Sequence, residues 1–333
     1  MSLDVVSFGE TMLRLTAQEG ARLEDTPTLR VYVGGSESNT LSGLARLNLK
    51  VQWISALPAQ RMGKHVEREL RRHGVGTDYV VWTMGSERLG IFYAEESPDP
   101  LGLHVIYDRA NSACARIDPA AIDYSVIDNA RLLHLTGITP ALSGQAREVF
   151  RRFLERACAR RVPLSFDVNY RAKLWAPADA AQAIEEACQQ AEILFCARAD
   201  AAELWGFDGT PEVMLRQMAA RFTGPDESKK TFVLTLGSEG SAQLLNGEYF
   251  AEPAIPTDGH ARFGSGDAFD AGYLYAYLDG PLYRELHEAY DVTPLAFGNA
   301  LAALKRCIPG DIPVITPDDV KALLQRVEGR RFR

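Results

Sequence analysis

Along the chain the spacing of apolar and polar positions changes in an orderly way. Val5-Val6-Ser7-Phe8 is a short apolar run that stops at Gly9-Glu10, and Thr11 to Leu15 then alternates, with Met12, Arg14 and Thr16 on one side. Arg30 to Val33 alternates again, as do Leu89 to Ala94 and Leu103 to Tyr107. A period of two marks half-exposed strands. The last two are joined by Ser97-Pro98-Asp99-Pro100, a turn sequence. Four such strands in two separate pairs predict a small flap sheet beside a main sheet.

Elsewhere the period is that of a helix or of a buried strand. Leu41, Leu44, Ala45 and Leu47 recur at helical spacing, Val51 to Ser55 reads as a strand and Lys64 to His73 as a charged helix. From Leu132 the two patterns take turns. Strands are expected at Leu132 to Leu135, Pro163 to Val168, Ile193 to Cys196 and Thr231 to Leu236. Helices are expected at Gln145 to Arg161, Ala178 to Gln190, Ala199 to Trp205 and Glu212 to Phe222. Repeated β-α units predict an α/β fold with a mostly parallel sheet covered by helices on both faces. Ligands bind such sheets beyond the carboxyl ends of the strands. Ala268 to Leu278 has almost no polar break and predicts a buried helix, while Asp279 to Thr293 reads as a surface connection before a helix from Pro294 to Cys307.

Composition narrows the function classes. A net charge of −8 without any basic run argues against a nucleic-acid partner. The five cysteines are scattered with no CxxC pair, as free thiols in a reducing cytoplasm would be. No apolar run reaches membrane-spanning length, and the first strand starts too early to leave room for a signal peptide. GxxxxGK[ST] is absent, as is GxGxxG after the first strand, which argues against a P-loop NTPase and a dinucleotide-binding dehydrogenase. No clustered His/Cys set or calcium-loop spacing is present, so no metal cage built by side chains alone is expected.

The most informative stretch is Gly264-Ser265-Gly266-Asp267 at the start of the buried helix. Backbone N–H groups of such a turn, with the helix dipole behind them, bind anions, including a phosphoryl group in transfer. Asp267 in the first turn is placed to take a proton from a hydroxyl nucleophile. Alone, the motif is equally a glycine turn with a capping aspartate. Gly34-Gly35 before the Leu41 helix permits close approach of a ligand, or simply a tight strand-to-helix turn. Arg109 and Arg171 follow strand ends and could grip a carboxylate or phosphate, or form surface ion pairs. His134, inside an apolar strand, reads as a satisfied core histidine.

Together these features resemble the ribokinase-like (PfkB) carbohydrate kinases. Gly34-Gly35 with Asn39 resembles the family's N-terminal signature, and Gly264-Ser265-Gly266-Asp267-Ala268-Phe269 with Gly272 its C-terminal one, about 230 residues later. Phe8-Gly9-Glu10, Tyr107 to Ala113, His134 to Pro140, Asp167 to Trp175 and Arg262-Phe263 are similar to the 2-keto-3-deoxygluconate kinases within it. The resemblance implies one ribokinase-like three-layer αβα domain over 1–333, with lid strands at about 11–33 and 89–110. It implies transfer of phosphate from ATP, with magnesium, to the terminal hydroxyl of a small sugar acid such as 2-keto-3-deoxygluconate. Asp267 would be the base, and Gly264, Ser265 and Gly266 the anion hole. Gly35, Asn39, Tyr93, Tyr107, Arg109, Ile138, Arg171 and Asp311 would bind the sugar acid. Asn169, Gly237, Gly240, Gly264, Gly266 and Asn299 would lie along ATP. A cytoplasmic homodimer joined through the lid is implied as well.

Two positions depart from the family pattern. Ala261 stands where many members carry an acid that helps hold a monovalent cation, which leaves a potassium requirement open. Ala197-Arg198-Ala199-Asp200 replaces an Asn-x-x-Glu run, keeping an acid and losing the amide. A neutral-sugar kinase and a non-catalytic sugar sensor on the same fold are the alternatives.

Overall fold

A computed structural model describes residues 2–18, 20–97, 101–223, 230–259, 261 and 263–331, the side chains of 328–331 excepted. The expected Pro98-Asp99-Pro100 turn and Arg262 lie outside the described residues. In chain order the first elements are β1 (Leu3–Phe8), β2 (Met12–Thr16), β3 (Arg30–Gly34), α1 (Ser36–Arg46), β4 (Val51–Pro58), α2 (Arg61–Arg72), β5 (Gly76–Thr83), β6 (Ile91–Glu96) and β7 (Leu103–Asp108). There follow β8 (Ala130–Thr136), α3 (Gly144–Arg160), β9 (Leu164–Asp167), α4 (Pro177–Gln190), β10 (Ile193–Ala197), α5 (Arg198–Trp205), α6 (Pro211–Phe222) and β11 (Thr231–Thr235). The chain continues with β12 (Ser241–Leu245), β13 (Glu248–Glu252), α7 (Ser265–Tyr277), α8 (Pro281–Tyr290), α9 (Pro294–Arg306) and α10 (Pro317–Arg331).

Among the described residues the large sheet has nine strands in the order β13-β12-β11-β10-β9-β8-β1-β4-β5. All its pairs are parallel except β11-β12 and β12-β13. The strand residues divide between two cores by alternation. Val5, Val51, Leu132, Ile193, Phe195 and Val233 pack with side chains of α1, α7, α9 and α10. Val6, Phe8, Leu133, Leu135, Phe166, Leu194 and Leu234 pack on the other face with side chains of α3, α4 and α6.

The four alternating segments at 12–16, 30–34, 91–96 and 103–108 form one separate sheet in the order β3-β2-β6-β7. The segment from 279 to 293 is not a plain connection. It carries α8, which starts with Pro281 at a position where the missing N–H costs nothing, buries Leu286, and ends at Asp291 in the left-handed region. Four further elements, β5, β12, β13 and α10, were not expected. β12 and β13 form an edge hairpin turned by Asn246-Gly247, both at positive φ, and β5 is the opposite edge strand.

α7 is buried from Ala268 through Ala276. It crosses α9 with almost no space between backbones: a Cβ on Gly272 would lie 2.9 Å from Gly298 Cα, and one on Gly298 would lie 2.8 Å from the Phe269 ring. This glycine pair fixes where the N-terminus of α7 points. That end opens toward Asp167, Ala197 and Thr235 at the carboxyl ends of β9, β10 and β11, all of which line the same cavity.

Candidate active site

A cavity of about 380 Å³ lies between those strand ends and the small sheet. Asp267 is at its floor. The helix ladder of α7 begins only with Ala268 N–H to the Gly264 carbonyl (2.9 Å), so the amides of Gly266 and Asp267 precede it. Gly264 caps the helix at φ +77, and a Cβ there would lie 2.0 Å from the Asp311 carbonyl. A Cβ on Gly266, by contrast, would meet only open space. Geometry therefore forces glycine at 264, while glycine at 266 keeps the approach to the amides clear.

Both Asp267 oxygens are held. Ser36 Oγ donates to Oδ1 at 2.7 Å and Asn39 Nδ2 to Oδ2 at 2.7 Å. Desolvation raises the Asp267 pKa above the usual carboxylate range, and the Asn39 and Ser36 bonds, with the positive charges of Arg171 and Lys305, oppose the rise. Asn169, at φ +39, donates through Nδ2 to Ser36 Oγ (2.7 Å) and to Asp167 Oδ2 (3.0 Å), while its Oδ1 is buried without a partner among the described residues. One turn along α7 from Asp267, Asp270 lies beside Asp167. Burial raises both pKa values, and the two like charges oppose joint ionisation. Asp200, in the first turn of α5, accepts from the Tyr170 N–H at 3.0 Å and also faces the cavity.

The cationic wall is built differently at its two arginines. Arg109 is buried and paired with Glu10, Nε at 2.8 Å and Nη2 at 2.5 Å from Oε2. Ser112 donates to the other Glu10 oxygen. Arg109 Nη1 is buried with no partner among the described residues. Arg171 is exposed, bonds only the Tyr170 carbonyl at 3.0 Å, and has no carboxylate in ion-pair range among the described residues. The surface-ion-pair alternative holds for neither arginine.

The small sheet gives the cavity one face of a cross-strand row. The register aligns Tyr32, Arg14, Phe92 and Tyr107 across β3, β2, β6 and β7. Phe92 and Tyr107 line the cavity, and Phe92 packs on Phe263 with ring centroids 5.7 Å apart. The next row, Val31, Leu15, Tyr93 and Ile106, belongs to the opposite face. Tyr93 therefore does not line the cavity, contrary to the sequence expectation, because a one-residue step along a strand reverses the face. Phe92 holds the inward position.

Of the other expected residues, Gly35, Asn39, Tyr107, Arg109, Ile138, Asn169, Arg171, Gly264, Gly266, Asp267 and Asp311 all line this cavity. Gly237, Gly240, Ser265 and Asn299 do not. Gly237 and Gly240 shape the turn after β11, beyond Thr235. Asn299 Nδ2 donates to the Glu252 and Pro253 carbonyls (3.3 and 3.1 Å) and its Oδ1 accepts from Ser241 Oγ (3.1 Å), tying α9 to the β12-β13 hairpin.

Residues 2–318 match the pfkB family carbohydrate kinases. The chain belongs to that family. It is 35% identical over 325 residues, 98% of each chain, to a 2-dehydro-3-deoxygalactonokinase of Haloferax volcanii, and 28% identical to a 2-dehydro-3-deoxygluconokinase of Bacillus subtilis over 94% of this chain and 92% of that one. A crystal structure of 2-dehydro-3-deoxygluconokinase from Thermotoga maritima superposes with a TM-score of 0.87 at 26% identity, covering 98% and 99% of the two chains. The fold is thus ribokinase-like and the protein is a carbohydrate kinase. Among its described residues no helix is long and apolar enough to cross a membrane, no group of three or more His, Cys, Asp or Glu side chains could hold a metal, and the five cysteines are free.

Several functional residues of this pfkB-family kinase escaped sequence reasoning. Asp270 lies one turn after Asp267 on the same helix face, so its spacing was a usable signal. Glu10 and Arg14 gave a weaker one, as charged residues beside or within apolar strands. Ser36 gave none, since its role depends on a residue 231 positions away.

Proposed function

We propose that the protein transfers the γ-phosphoryl group of ATP to the terminal hydroxyl of a 2-keto-3-deoxy sugar acid, 2-keto-3-deoxygluconate or its galacto epimer, releasing ADP. The observation that carries this reading is Arg109: a buried guanidinium with one nitrogen unpartnered, on the cavity that Asp267 floors and Arg171 lines without a carboxylate of its own. A buried donor left unpaired is costly, and a substrate carboxylate satisfies it with charge as well as geometry. The names of the relatives from Haloferax volcanii, Bacillus subtilis and Thermotoga maritima support both epimers as candidates.

Asp267 takes the hydroxyl proton as the hydroxyl oxygen forms its bond to the γ-phosphorus and the bond to the ADP oxygen breaks. Amides of the 264–267 turn hold the charge that spreads over the phosphoryl oxygens. Ser36 and Asn39 keep the base oriented and ionised. Magnesium bound with ATP supplies charge neutralisation. Asn169 Oδ1 and the carboxylates of Asp167, Asp200 and Asp270 are among the oxygens this chain offers at the cavity for that pair. The small sheet serves as a lid of a single working domain, excluding water from the reacting groups. Its outer row, with Val31 48% and Ile106 49% exposed, supports a homodimer through the lid. Free thiols suit a reducing cytoplasm.

The test is ADP release with ATP and magnesium on 2-keto-3-deoxygluconate, its galacto epimer, gluconate, fructose and ribose. Turnover confined to the keto-deoxy acids, and lost in Arg109→Ala and Arg171→Ala, is expected. Turnover on fructose or ribose that survives both substitutions would replace the sugar acid with a neutral sugar. Binding without turnover on every sugar would favour a sensor.

A further inference from the structure

Lys305 is a buried cation that the proposed chemistry has not used. It leaves the last turn of α9 with no exposed surface, and its Nζ donates to the carbonyls of Ile308 and Gly310, each at 2.9 Å. A Cβ placed on Gly264 would lie 3.3 Å from Lys305 Cε, so the end of the side chain sits directly behind the turn that opens α7. No carboxylate pairs with it in ion-pair range among the described residues, although the charges of Asp311 and Asp267 favour its ionised form. Burial lowers its pKa to about 8. Burying an ammonium on two neutral carbonyls is expensive. A methionine would fill the same volume without that cost, so the charge itself needs a reason.

Inward-facing carbonyls beside an anion site are also the donors a monovalent cation would use, and the family resemblance raised that possibility here. The residues do not fit such an ion. Two of the carbonyls already accept from the Lys305 ammonium, and Ala261 offers no carboxylate. We infer that Lys305 is a built-in cation, a positioning residue whose fixed charge behind Gly264 holds the anion-hole turn and favours charge on the transferred phosphoryl group, so that the kinase works without potassium. This rests on the kinase reading above.

The experiment compares wild type, Lys305→Met and Lys305→Ala in buffers of tetramethylammonium, potassium or ammonium chloride at equal ionic strength. Turnover on the keto-deoxy acids and melting temperature are both read. Wild type is expected to be fully active in tetramethylammonium and unchanged by potassium. Lys305→Met is expected to lose roughly 10–100-fold in kcat with the sugar KM little altered, as when one electrostatic stabiliser of a transition state is removed. Lys305→Ala, which leaves the ammonium's place open, is expected to regain activity in ammonium or potassium. Several-fold potassium activation of wild type overturns the inference, as does a folded Lys305→Met with wild-type kcat. Wild type inactive on all sugars speaks against the kinase reading instead. The inference is then decided by melting: a potassium-dependent rise in wild type sinks it, and a rise confined to Lys305→Ala supports it.

Discussion

Arg14 and Asp311, 297 positions apart, form a buried pair with Nε 2.8 Å from Oδ1. The guanidinium carbon of Arg14 lies 4.6 Å from the Tyr32 ring centroid and 4.3 Å from that of Phe263, and Nη1 reaches Glu96 at 2.7 Å. The pair joins the small sheet to the backbone that packs on Gly264, so the small sheet and the turn that opens α7 share one anchor. Burial pushes the Asp311 carboxyl up to about 6 even with Arg14 beside it.

Removing Arg14 leaves Asp311 buried without its ion-pair partner, which costs about 3–5 kcal/mol, whereas Arg14 without Asp311 keeps Glu96. Arg14→Met is therefore expected to lower the melting temperature markedly, and Asp311→Asn added to it to restore part of the loss. A double-mutant cycle by chemical denaturation checks this. Additive losses would show that the pair does not act as a unit.

Asp267→Asn keeps the shape of the side chain and the acceptor for Asn39, turns the acceptor facing Ser36 Oγ into a donor, and removes the base. A fall in kcat of about 10²–10⁴ is expected, with sugar and nucleotide affinity within a few-fold of wild type by calorimetry. An equal collapse of binding would make Asp267 a binding residue first.

Much of this site was legible in the sequence because its parts are local. The Gly264 turn, Asp267 and the apolar run behind it belong to one stretch, and the strand-end residues Asp167, Asn169 and Arg171 to another. What the sequence hid is pairing across distance. Nothing near Arg14 tells that its partner is Asp311, and nothing near Ser36 tells that it bonds Asp267 and Asn169. Tyr93 was misplaced by a single residue of strand register, where Phe92 and Tyr93 are both plausible aromatic walls until the β2-β6 alignment is known. α8 was missed for another reason: Gly280-Pro281 reads as a loop, although proline at a first helical position is equally a start signal.

The hydrogen bonds to Asp267 make a prediction about pH. They oppose the rise that burial causes in its pKa, so removing one raises it further. Ser36→Ala is expected to move the acid limb of kcat/KM to higher pH. A pH profile with the limb unmoved, or moved down, would mean that the limb reports another group.

The lid's outer row predicts the assembly state. Val31 and Ile106 stand at opposite ends of a cross-strand line through Leu15 and Tyr93, a flat apolar strip on an exposed sheet. Val31→Lys with Ile106→Lys is expected to convert a dimer to a monomer in light scattering without altering the melting of the isolated chain by more than a few degrees. A wild type that is already monomeric at micromolar concentration would refute the dimer.

Stability should fall as pH rises through about 7, and Glu37 is one cause. It is fully enclosed at the start of α1, accepts from Thr136 at 2.7 Å and from Thr139 at one oxygen, and leaves Oε2 without a partner among the described residues. Burial raises its pKa from 4.5 to about 7. The folded state then binds the proton more tightly than the unfolded state, so the contribution is complete below about pH 4.5 and lost as pH climbs through 7. His134 works the other way: burial lowers its pKa to about 3, and its contribution, complete above its ordinary 6.5, is lost only as pH falls below that. Above pH 6.5 the histidine is neutral in both states and the carboxyl acts without that opposition. Glu37→Gln keeps the acceptor for both threonines and puts an uncharged donor where Oε2 would carry its proton. Melting temperatures between about pH 6.5 and 8.5 should fall less steeply in Glu37→Gln than in wild type, by about 1 kcal/mol over that window, the remainder of the Glu37 contribution being lost already at lower pH. Equal slopes would mean that Glu37 is already ionised in the fold, with water or a neighbouring donor on Oε2.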